Sequence, residues 1–145
     1  MMSHAREMLE AGSGPVGLGA AEVAAAIDAC ADSAQACTSC ADSDIAEQDV
    51  AAMRDCIGLC LDCADVCSAT ERVLSRATRY DNELVHRLLL ACVRACASCA
   101  EECARHADHH EHCRICEEVC RACEQACRVL LDTDAFEEQR APAGG

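Results

Sequence analysis

The chain has 145 residues, a formal net charge of −14 and sixteen cysteines, but only one Phe, one Tyr and no Trp. This length is enough for one domain with its own core, and because aromatic side chains are so few, cysteines must form much of that core. The excess of 26 acidic over 12 basic residues argues against a nucleic-acid-binding surface, which needs clustered positive charge.

The chain shows no stretch of about 18 uninterrupted apolar residues, so no membrane span is predicted. Its N-terminal region does not resemble a signal peptide, and we therefore expect a cytoplasmic protein. An even number of cysteines allows a disulfide framework, but stable disulfides are rare in a reducing cytosol. Proteins held together by disulfides are also loop-rich, whereas this chain has only two Pro and seven Gly. We expect free thiols.

The first predicted element is a short helix over residues 3–11, with Ser3 as its N-cap, followed by a Gly-rich connection. Residues 1–19 form this N-terminal segment. Residues 132–145 are predicted to be a polar C-terminal tail whose later part is frayed. Residues 20–131 between them form the main domain.

Four helical stretches follow one another within the main domain. A helix N-cap is predicted at Asp81 or Asn82, and Glu83 then lies in the first turn, where the helix dipole favours an anion. Helices of this length with short connections predict an all-α fold, an antiparallel up-down-up-down four-helix bundle with a Cys-lined core. The predicted helices cover approximately residues 20–43, 47–79, 82–106 and 109–131.

The cysteines recur at the spacing of one helix face. Within each predicted helix, successive cysteines are 3, 4 or 7 residues apart, which is the step of the a and d positions of a heptad. All sixteen thiols are therefore predicted to point into the bundle. The candidate metal ligands are Cys30, Cys37, Cys40, Cys56, Cys60, Cys63, Cys67, Cys92, Cys96, Cys99, Cys103, Cys113, Cys116, Cys120, Cys123 and Cys127.

The same heptad register predicts that the two ends of the bundle differ. One end is a plug of apolar and small side chains, formed by Val23, Ala26, Thr70, Leu74, Val85, Leu89 and Leu130. The other end is a polar mouth near solvent, formed by Asp44, Met53, His106, His109 and His110. The bundle is therefore expected to be a thiol-lined tube with one closed end.

Cu(I) is the soft ion that thiolates select. Each Cu⁺ replaces one thiol proton, so a filled core keeps its net charge, whereas zinc held by four thiolates leaves a costly buried charge. A two-coordinate ion needs sulfurs roughly 4.5 Å apart, and Cβ atoms four residues apart on a helix are roughly 5–6 Å apart. Each of the six Cys-x3-Cys pairs can thus hold an ion. This pattern favours a store of multiple Cu(I) ions without catalysis.

Two other functions remain open, a zinc-thiolate reservoir and an iron–sulfur electron carrier. Sixteen thiols allow at most four zinc sites with four thiolates each. Cys-x2-Cys pairs also recur, as in iron–sulfur proteins, but cluster motifs usually lie in loops and are often followed by Pro. The regular helices predicted here leave no loop that could enclose a cluster.

The histidines near the predicted mouth are candidates for an uptake path, because imidazole and thioether groups both bind copper. His106 and His109 continue the heptad spacing of the cysteines and are the first candidates for this path. Met53 and Asp44 are further candidates. A solvated loop is the alternative interpretation of this His-rich segment. The sequence leaves open whether His110 and His112 bind metal.

Three Cys-rich segments carry a resemblance to a known family. They are CIGLCLDCADVC at 56–67, CVRACASCAEEC at 92–103 and HCRICEEVCRACEQAC at 112–127. With them, residues 20–131 resemble the bacterial four-helix-bundle copper storage proteins, in particular their cytosolic branch. The resemblance implies many Cu(I) ions bound by thiolates inside the bundle, uptake at a His/Met mouth and a homotetramer.

Copper ions are the expected partners, and a copper chaperone is one possible source of them. The first helix departs from the family pattern, because Ser33 and Ala36 occupy places where another inward thiol could lie. The number of ions along that wall is therefore open.

Overall fold

The computed structural model describes residues 2–141, which contain α-helices, two 3₁₀ turns and no β-strand within that range. The helices are α1 (His4–Ala11), α2 (Ala20–Ile45), α3 (Arg54–Ser75), α4 (Asn82–His106), α5 (Glu111–Leu131) and α6 (Glu137–Arg140). The 3₁₀ turns are Val50–Met53 and Asp134–Phe136. The predicted all-α fold is confirmed. Among these helices, none is long and apolar enough to cross a membrane.

Helices α2 to α5 form the four-helix bundle. Each of them packs against the helix that follows it in the chain, and α5 closes the ring by packing against α2. Short connections between long helices place sequence neighbours side by side and antiparallel. The inward stripe of every helix therefore faces one shared central axis.

Side-chain caps define where two of the helices begin. The Ser3 hydroxyl accepts a hydrogen bond from the backbone N–H of Arg6 at 3.3 Å, and this caps α1. The Asp81 carboxylate accepts one from the N–H of Leu84 at 3.1 Å, and this caps α4. Ser3 is the predicted cap of α1, and Asp81 is one of the two residues predicted for α4, because short polar side chains satisfy the free N–H groups of a first turn.

Helix α3 is shorter than predicted at both ends. Residues 50–53 form a 3₁₀ turn instead of the first α-helical turn, and the helix stops at Ser75. The Tyr80 hydroxyl donates a hydrogen bond to the Leu74 carbonyl at 2.6 Å. This bond satisfies a carbonyl at the C-terminus of α3, which the helix itself leaves without an intrahelical partner.

The predicted plug is buried. Its seven members are all at most 1% exposed. Six of them belong to one hydrophobic core, and the seventh, Thr70, is a buried polar residue. Phe136 is also fully buried, and its ring centroid lies 5.6 Å from that of His86 on α4. The tail from residue 132 onward is thus not only polar, since its single aromatic side chain packs on the bundle. The predicted fraying falls largely on residues 142–145, which lie outside the described residues.

Candidate metal centre

All sixteen cysteines are buried and unpaired by disulfides. Each is at most 1% exposed, as expected when the thiols occupy the inward stripe of helices α2 to α5. They form the greater part of the bundle axis between the plug and the mouth. Fully buried thiols at this density are the main feature of the molecule, and they are of the residue type that soft metal ions select.

The thiols contact one another, mostly between helices. Their hydrogen-bonded Sγ–Sγ distances run from 3.4 Å, between Cys37 and Cys120, to 4.0 Å. An ion bound to two sulfurs in a line needs roughly 4.5 Å between them, and an ion bound to three needs less. The observed separations therefore suit an ion bound to three sulfurs, and an ion bound to two would need its thiols to move apart by roughly 0.5–1 Å.

The predicted Cys-x3-Cys pairs are close in all six cases. Four of them hydrogen-bond directly, at 3.7 to 4.0 Å. In the pair of Cys92 and Cys96, both thiols bond to Cys67 on α3. In the pair of Cys123 and Cys127, both bond to Cys30 on α2. Neighbouring helices thus supply a third sulfur beside an intrahelical pair, which the sequence alone did not predict.

Several sets of four thiols have all their Sγ atoms within 4.8 Å of one another. One set contains Cys67, Cys92, Cys96 and Cys123, and another contains Cys30 together with Cys92, Cys123 and Cys127. Because these sets share members, ions in neighbouring positions would share thiolates. Such sharing suits a chain of Cu(I) ions, and it limits how many separate four-thiolate zinc sites can exist together.

The thiols differ in how readily they lose a proton. Hydrogen bonds to neighbouring thiols, the largest being to Cys123, raise the pKa of Cys30 and Cys96, and burial raises it further. Hydrogen bonds from neighbouring thiols lower the pKa of Cys92 and Cys116 against the opposing effect of burial. Because a thiol binds a soft metal ion as the thiolate, binding of metal here would be coupled to release of these protons.

At the mouth, a carboxyl group and a thioether lie at the end of the column of thiols. Asp44 and Met53 are both fully buried there. The Cys113 thiol donates a hydrogen bond to Asp44 Oδ1 at 3.7 Å, while Oδ2 has no partner among the described residues. Burial, together with a hydrogen bond involving Cys56, raises the pKa of Asp44 to about 8. Asp44 is therefore protonated far more readily near neutral pH than an ordinary aspartate.

His112 connects the mouth to the thiols. Its Nδ1 atom lies 3.4 Å from the Sγ of Cys40, 3.5 Å from the Sγ of Cys113 and 3.5 Å from Asp44 Oδ1. Its Nε2 atom lies 3.2 Å from the carboxylate of Glu47. A carboxylate at one ring nitrogen orients the imidazole and leaves the other nitrogen to face a metal. The heptad register did not identify His112, but its position next to Cys113 at the start of a helix was a usable signal.

Two further histidines lie at the mouth beside carboxylates. His110 Nδ1 is 3.3 Å from Glu47, and its Nε2 is 3.7 Å from Asp49. His106 Nε2 is 3.6 Å from the carboxylate of Glu102 on the same helix. Both rings are largely buried, so they are held at the mouth and do not extend freely into solvent.

The structure does not bring His109 into this group. The ring centroids of His106 and His110 are 6.4 Å apart, and those of His110 and His112 are 5.5 Å apart, whereas His109 is exposed. Helix α4 ends at His106. In the turn that follows, the backbone N–H groups of His109 and His110 both donate to the backbone carbonyl of His106. His109 lies in this turn, between α4 and α5, where the helical heptad spacing no longer applies. Extending that spacing into the turn is the reason why the sequence favoured His109.

The copper storage protein family matches residues 20–132 of the chain. No curated protein sequence matches it. Among solved structures, the copper storage protein Ccsp from Streptomyces lividans, loaded with 10 copper equivalents, is 48% identical, with a TM-score of 0.85. The match covers 88% of this chain and 97% of that chain.

Two further structures of the Streptomyces lividans protein are similar. One shows copper loading to this cytosolic copper storage protein with five coppers, at 53% identity over 77% of this chain and 93% of that chain, with a TM-score of 0.76. The other is a variant in which two histidines four positions apart are replaced by alanine, at 50% identity over 79% and 97%, with a TM-score of 0.78.

Proposed function

The chain belongs to the copper storage protein family, and we propose that it stores Cu(I) in the cytosol as many ions bound to cysteine thiolates inside the bundle. The observation that carries this proposal is the set of sixteen buried, disulfide-free thiols with Sγ atoms in mutual contact. The copper-loaded and cytosolic descriptions of the similar Streptomyces lividans protein support it.

Charge balance makes this store possible inside an apolar bundle. When Cu⁺ binds, a Cu–S bond forms, the thiol proton leaves, and the net charge of the core does not change. Burying uncompensated charge would cost several kcal/mol per ion, and exchange of Cu⁺ for H⁺ avoids that cost. The formal net charge of −14 belongs largely to the outer faces and should be unaffected by loading.

We propose the sixteen cysteines as the main ligand set, with His112 Nδ1 as a further ligand beside Cys40 and Cys113. His106 and His110 form the outer part of the uptake path, and Met53 and Asp44 lie behind them. His106 and His110 are four positions apart, the same spacing as the two replaced histidines of the Streptomyces lividans variant. The role of His109 in uptake stays a prediction from the sequence alone.

The proposed activity is binding and release, with no chemical change of the ion and no catalytic step. Thiolates, imidazole and thioether all serve here as copper ligands. A copper chaperone is proposed as the source of Cu(I), since exchange between protein ligands keeps the ion from being free. The acidic field of the outer faces would attract a cationic partner at long range.

We further propose that the protein assembles as a homotetramer. The outer faces of α3, α4 and α5 expose large apolar side chains, which a second copy could cover. Light scattering on the purified protein should give four times the monomer mass of 15.4 kDa, and a monomeric mass would reject this part of the proposal. The exposed apolar residues on these helices are Leu61, Leu84, Leu90, Ile115 and Val129.

An anaerobic titration of the reduced protein with Cu(I), against a competing chelator, tests the storage function. We expect uptake on the order of one ion per thiol, and a colourless product. Saturation at four ions or fewer would contradict storage of Cu(I) and favour the zinc reservoir. A brown protein as purified would favour the iron–sulfur carrier.

The variant Ser39→Cys provides a matched control for this titration. Ser39 is exposed on α2, so its replacement adds a thiol outside the bundle. An isolated surface thiol should not compete with the chelator, and the measured capacity should stay that of the wild type. If the Ser39→Cys protein instead bound one more ion than the wild type, capacity would depend on the number of thiols and not on their burial, which would contradict the proposal.

A further inference from the structure

The thiol–thiol hydrogen bonds divide the sixteen cysteines into three groups. Cys40 and Cys113 form a rim pair beside His112. Seven cysteines form an outer group: Cys37, Cys56, Cys60, Cys99, Cys103, Cys116 and Cys120. Seven others form an inner group next to the plug: Cys30, Cys63, Cys67, Cys92, Cys96, Cys123 and Cys127.

Ser33 lies between the outer and inner groups. Its hydroxyl oxygen is 3.5 Å from the Sγ of Cys120 and 3.9 Å from that of Cys37, both in the outer group. It is also 3.8 Å from the Sγ of Cys63 in the inner group. Within residues 2–141, Ser33 is the one side chain that hydrogen-bonds to both groups, and it is fully buried.

The position of Ser33 in its helix is that of a missing thiol. It follows Cys30 by three residues and precedes Cys37 by four, which are the steps that separate cysteines elsewhere in the bundle. Serine and cysteine have the same shape and differ in one atom, oxygen in place of sulfur. The interruption of the thiol network at this point is therefore chemical, because a hydroxyl stands where a thiol would continue the network.

Building on the proposed storage function, we propose that Ser33 divides the copper store into an outer and an inner pool that exchange Cu(I) slowly. An ion moves when an incoming thiol loses its proton and forms a new Cu–S bond. The old Cu–S bond then breaks, and its sulfur takes up a proton. Copper remains Cu(I) throughout. A serine hydroxyl is a hard, neutral donor that Cu(I) does not select, so it cannot act as the incoming ligand.

One route across the junction remains. The Sγ of Cys63 lies within 4.8 Å of those of Cys37, Cys99 and Cys120, but no Sγ–Sγ contact of 4.0 Å or less joins the two groups there in the described structure. Cys63 is thus an inner thiol placed for crossing at this longer distance, whereas contacts at 3.4 to 4.0 Å connect each group internally. The inner pool should be the last to fill and the last to be emptied.

The test is removal of copper from fully loaded wild-type protein by a strong colorimetric Cu(I) chelator, under anaerobic conditions. We expect two phases: a fast one from the rim pair and the outer group, and one at least about tenfold slower from the inner group. The number of ions bound is measured before the challenge, so a protein that loads few ions refutes the storage function separately. A well-loaded protein that releases all its copper in one phase overturns the division into pools.

Three variants identify Ser33 as the cause. Ser33→Cys should raise the capacity by about one ion and merge the two phases, because a thiol then joins the groups. Ser33→Ala should keep both phases, because it also lacks a thiol. Thr70→Cys is the matched control, since it adds a buried thiol at the plug end beyond Cys67 and should leave two phases.

The variants are interpreted at wild-type helical content, checked by circular dichroism. Two phases retained by a folded, fully loaded Ser33→Cys protein would overturn the proposal. So would a Thr70→Cys protein that releases its copper in a single phase, since added thiol content alone would then explain the change. If a variant does not fold, the number of phases in copper release from the wild-type protein still tests the division into two pools.

Discussion

The Nδ1 atom of His112 lies 3.4 Å from the Sγ of Cys40, and this contact joins the start of α5 to the last cysteine of α2. It places an imidazole at the outer end of a column of thiols that is otherwise closed by Asp44 and Met53. His112 at the mouth therefore lies in direct contact with the thiols of the core, and we propose that they bind copper together.

Replacement of His112 by alanine should weaken binding of the first ions. The change removes one ligand beside the rim pair of Cys40 and Cys113, so the loss in affinity should be at least the roughly 10- to 100-fold that follows loss of a group that merely orients a ligand. Total capacity should fall by no more than about one ion. A competition titration at low copper loading measures this, with His4→Ala at the other end of the molecule as the control. Unchanged affinity at the first equivalents would contradict the ligand role of His112.

Joint replacement of His106 and His110 by alanine should slow Cu(I) uptake and leave the final capacity nearly intact, because both side chains lie outside the thiol column. Stopped-flow mixing with a Cu(I)–chelator complex measures the rate. His109→Ala is the informative comparison, since His109 is exposed in the structure although the heptad register favoured it. If His109→Ala slowed uptake by a similar factor, His109 would take part in uptake, as the heptad spacing predicted and the observed geometry does not.

Replacement of Asp44 by asparagine should flatten the pH dependence of apoprotein stability. Burial is the main cause that raises the pKa of Asp44 from its ordinary value of 3.8 to about 8. The folded state therefore binds this proton more tightly than the unfolded state. Its contribution to stability is full below about pH 4 and is lost as the pH rises through about 8, at up to about 1.4 kcal/mol per pH unit.

Urea unfolding of the reduced apoprotein at several pH values measures this effect as a difference. The free energy of unfolding of the wild type, minus that of Asp44→Asn, should decrease as the pH rises from about 4 to 8. The exposed residue Asp42 provides the control Asp42→Asn, for which this difference should vary little. A difference for Asp44→Asn that is constant over the range would show that the carboxyl group is ionised in the fold.

Copper affinity should weaken as the pH falls, because each ion displaces a thiol proton. Hydrogen bonds and burial raise the pKa of thiols such as Cys30 and Cys96, so these sites compete with protons throughout the neutral range. The expected loss is up to about tenfold in affinity per ion for each pH unit. Chelator competition between pH 6 and 8 would measure it, and an affinity independent of pH would argue against coupled proton release.

Replacement of Phe136 by alanine should destabilise the apoprotein by about 3–5 kcal/mol, the usual cost of removing a fully buried aromatic side chain. Copper capacity should not change, since Phe136 packs beside His86 and offers no donor atom to copper. Chemical denaturation measures the loss, with Val129→Ala on the exposed face of α5 as the control. If Phe136→Ala and Val129→Ala both lowered the free energy of unfolding by the same small amount, the tail would contribute little to the stability of the fold.

Local patterns predicted a large part of the fold. Ser3 and Asp81 cap the helices that they were expected to cap, because capping involves only neighbouring backbone groups. The burial of all sixteen cysteines also follows from spacing within single helices. Phe136 was missed because a lone aromatic residue in a polar segment has no periodicity, and the surface that it covers comes from a helix distant in sequence.

The amino-acid sequence by itself determined which side chains face the bundle axis, since helical periodicity is set within each helix by residues three and four positions apart. It thereby also determined that the core consists of thiols, with apolar side chains at one end and polar ones at the other. Only the tertiary structure decided which thiols meet between helices, that His112 reaches Cys40, and that Ser33 separates two groups of cysteines. These relationships depend on the rotation and axial shift of one packed helix against another, and on the path of the chain through the turns, where the helical period no longer applies.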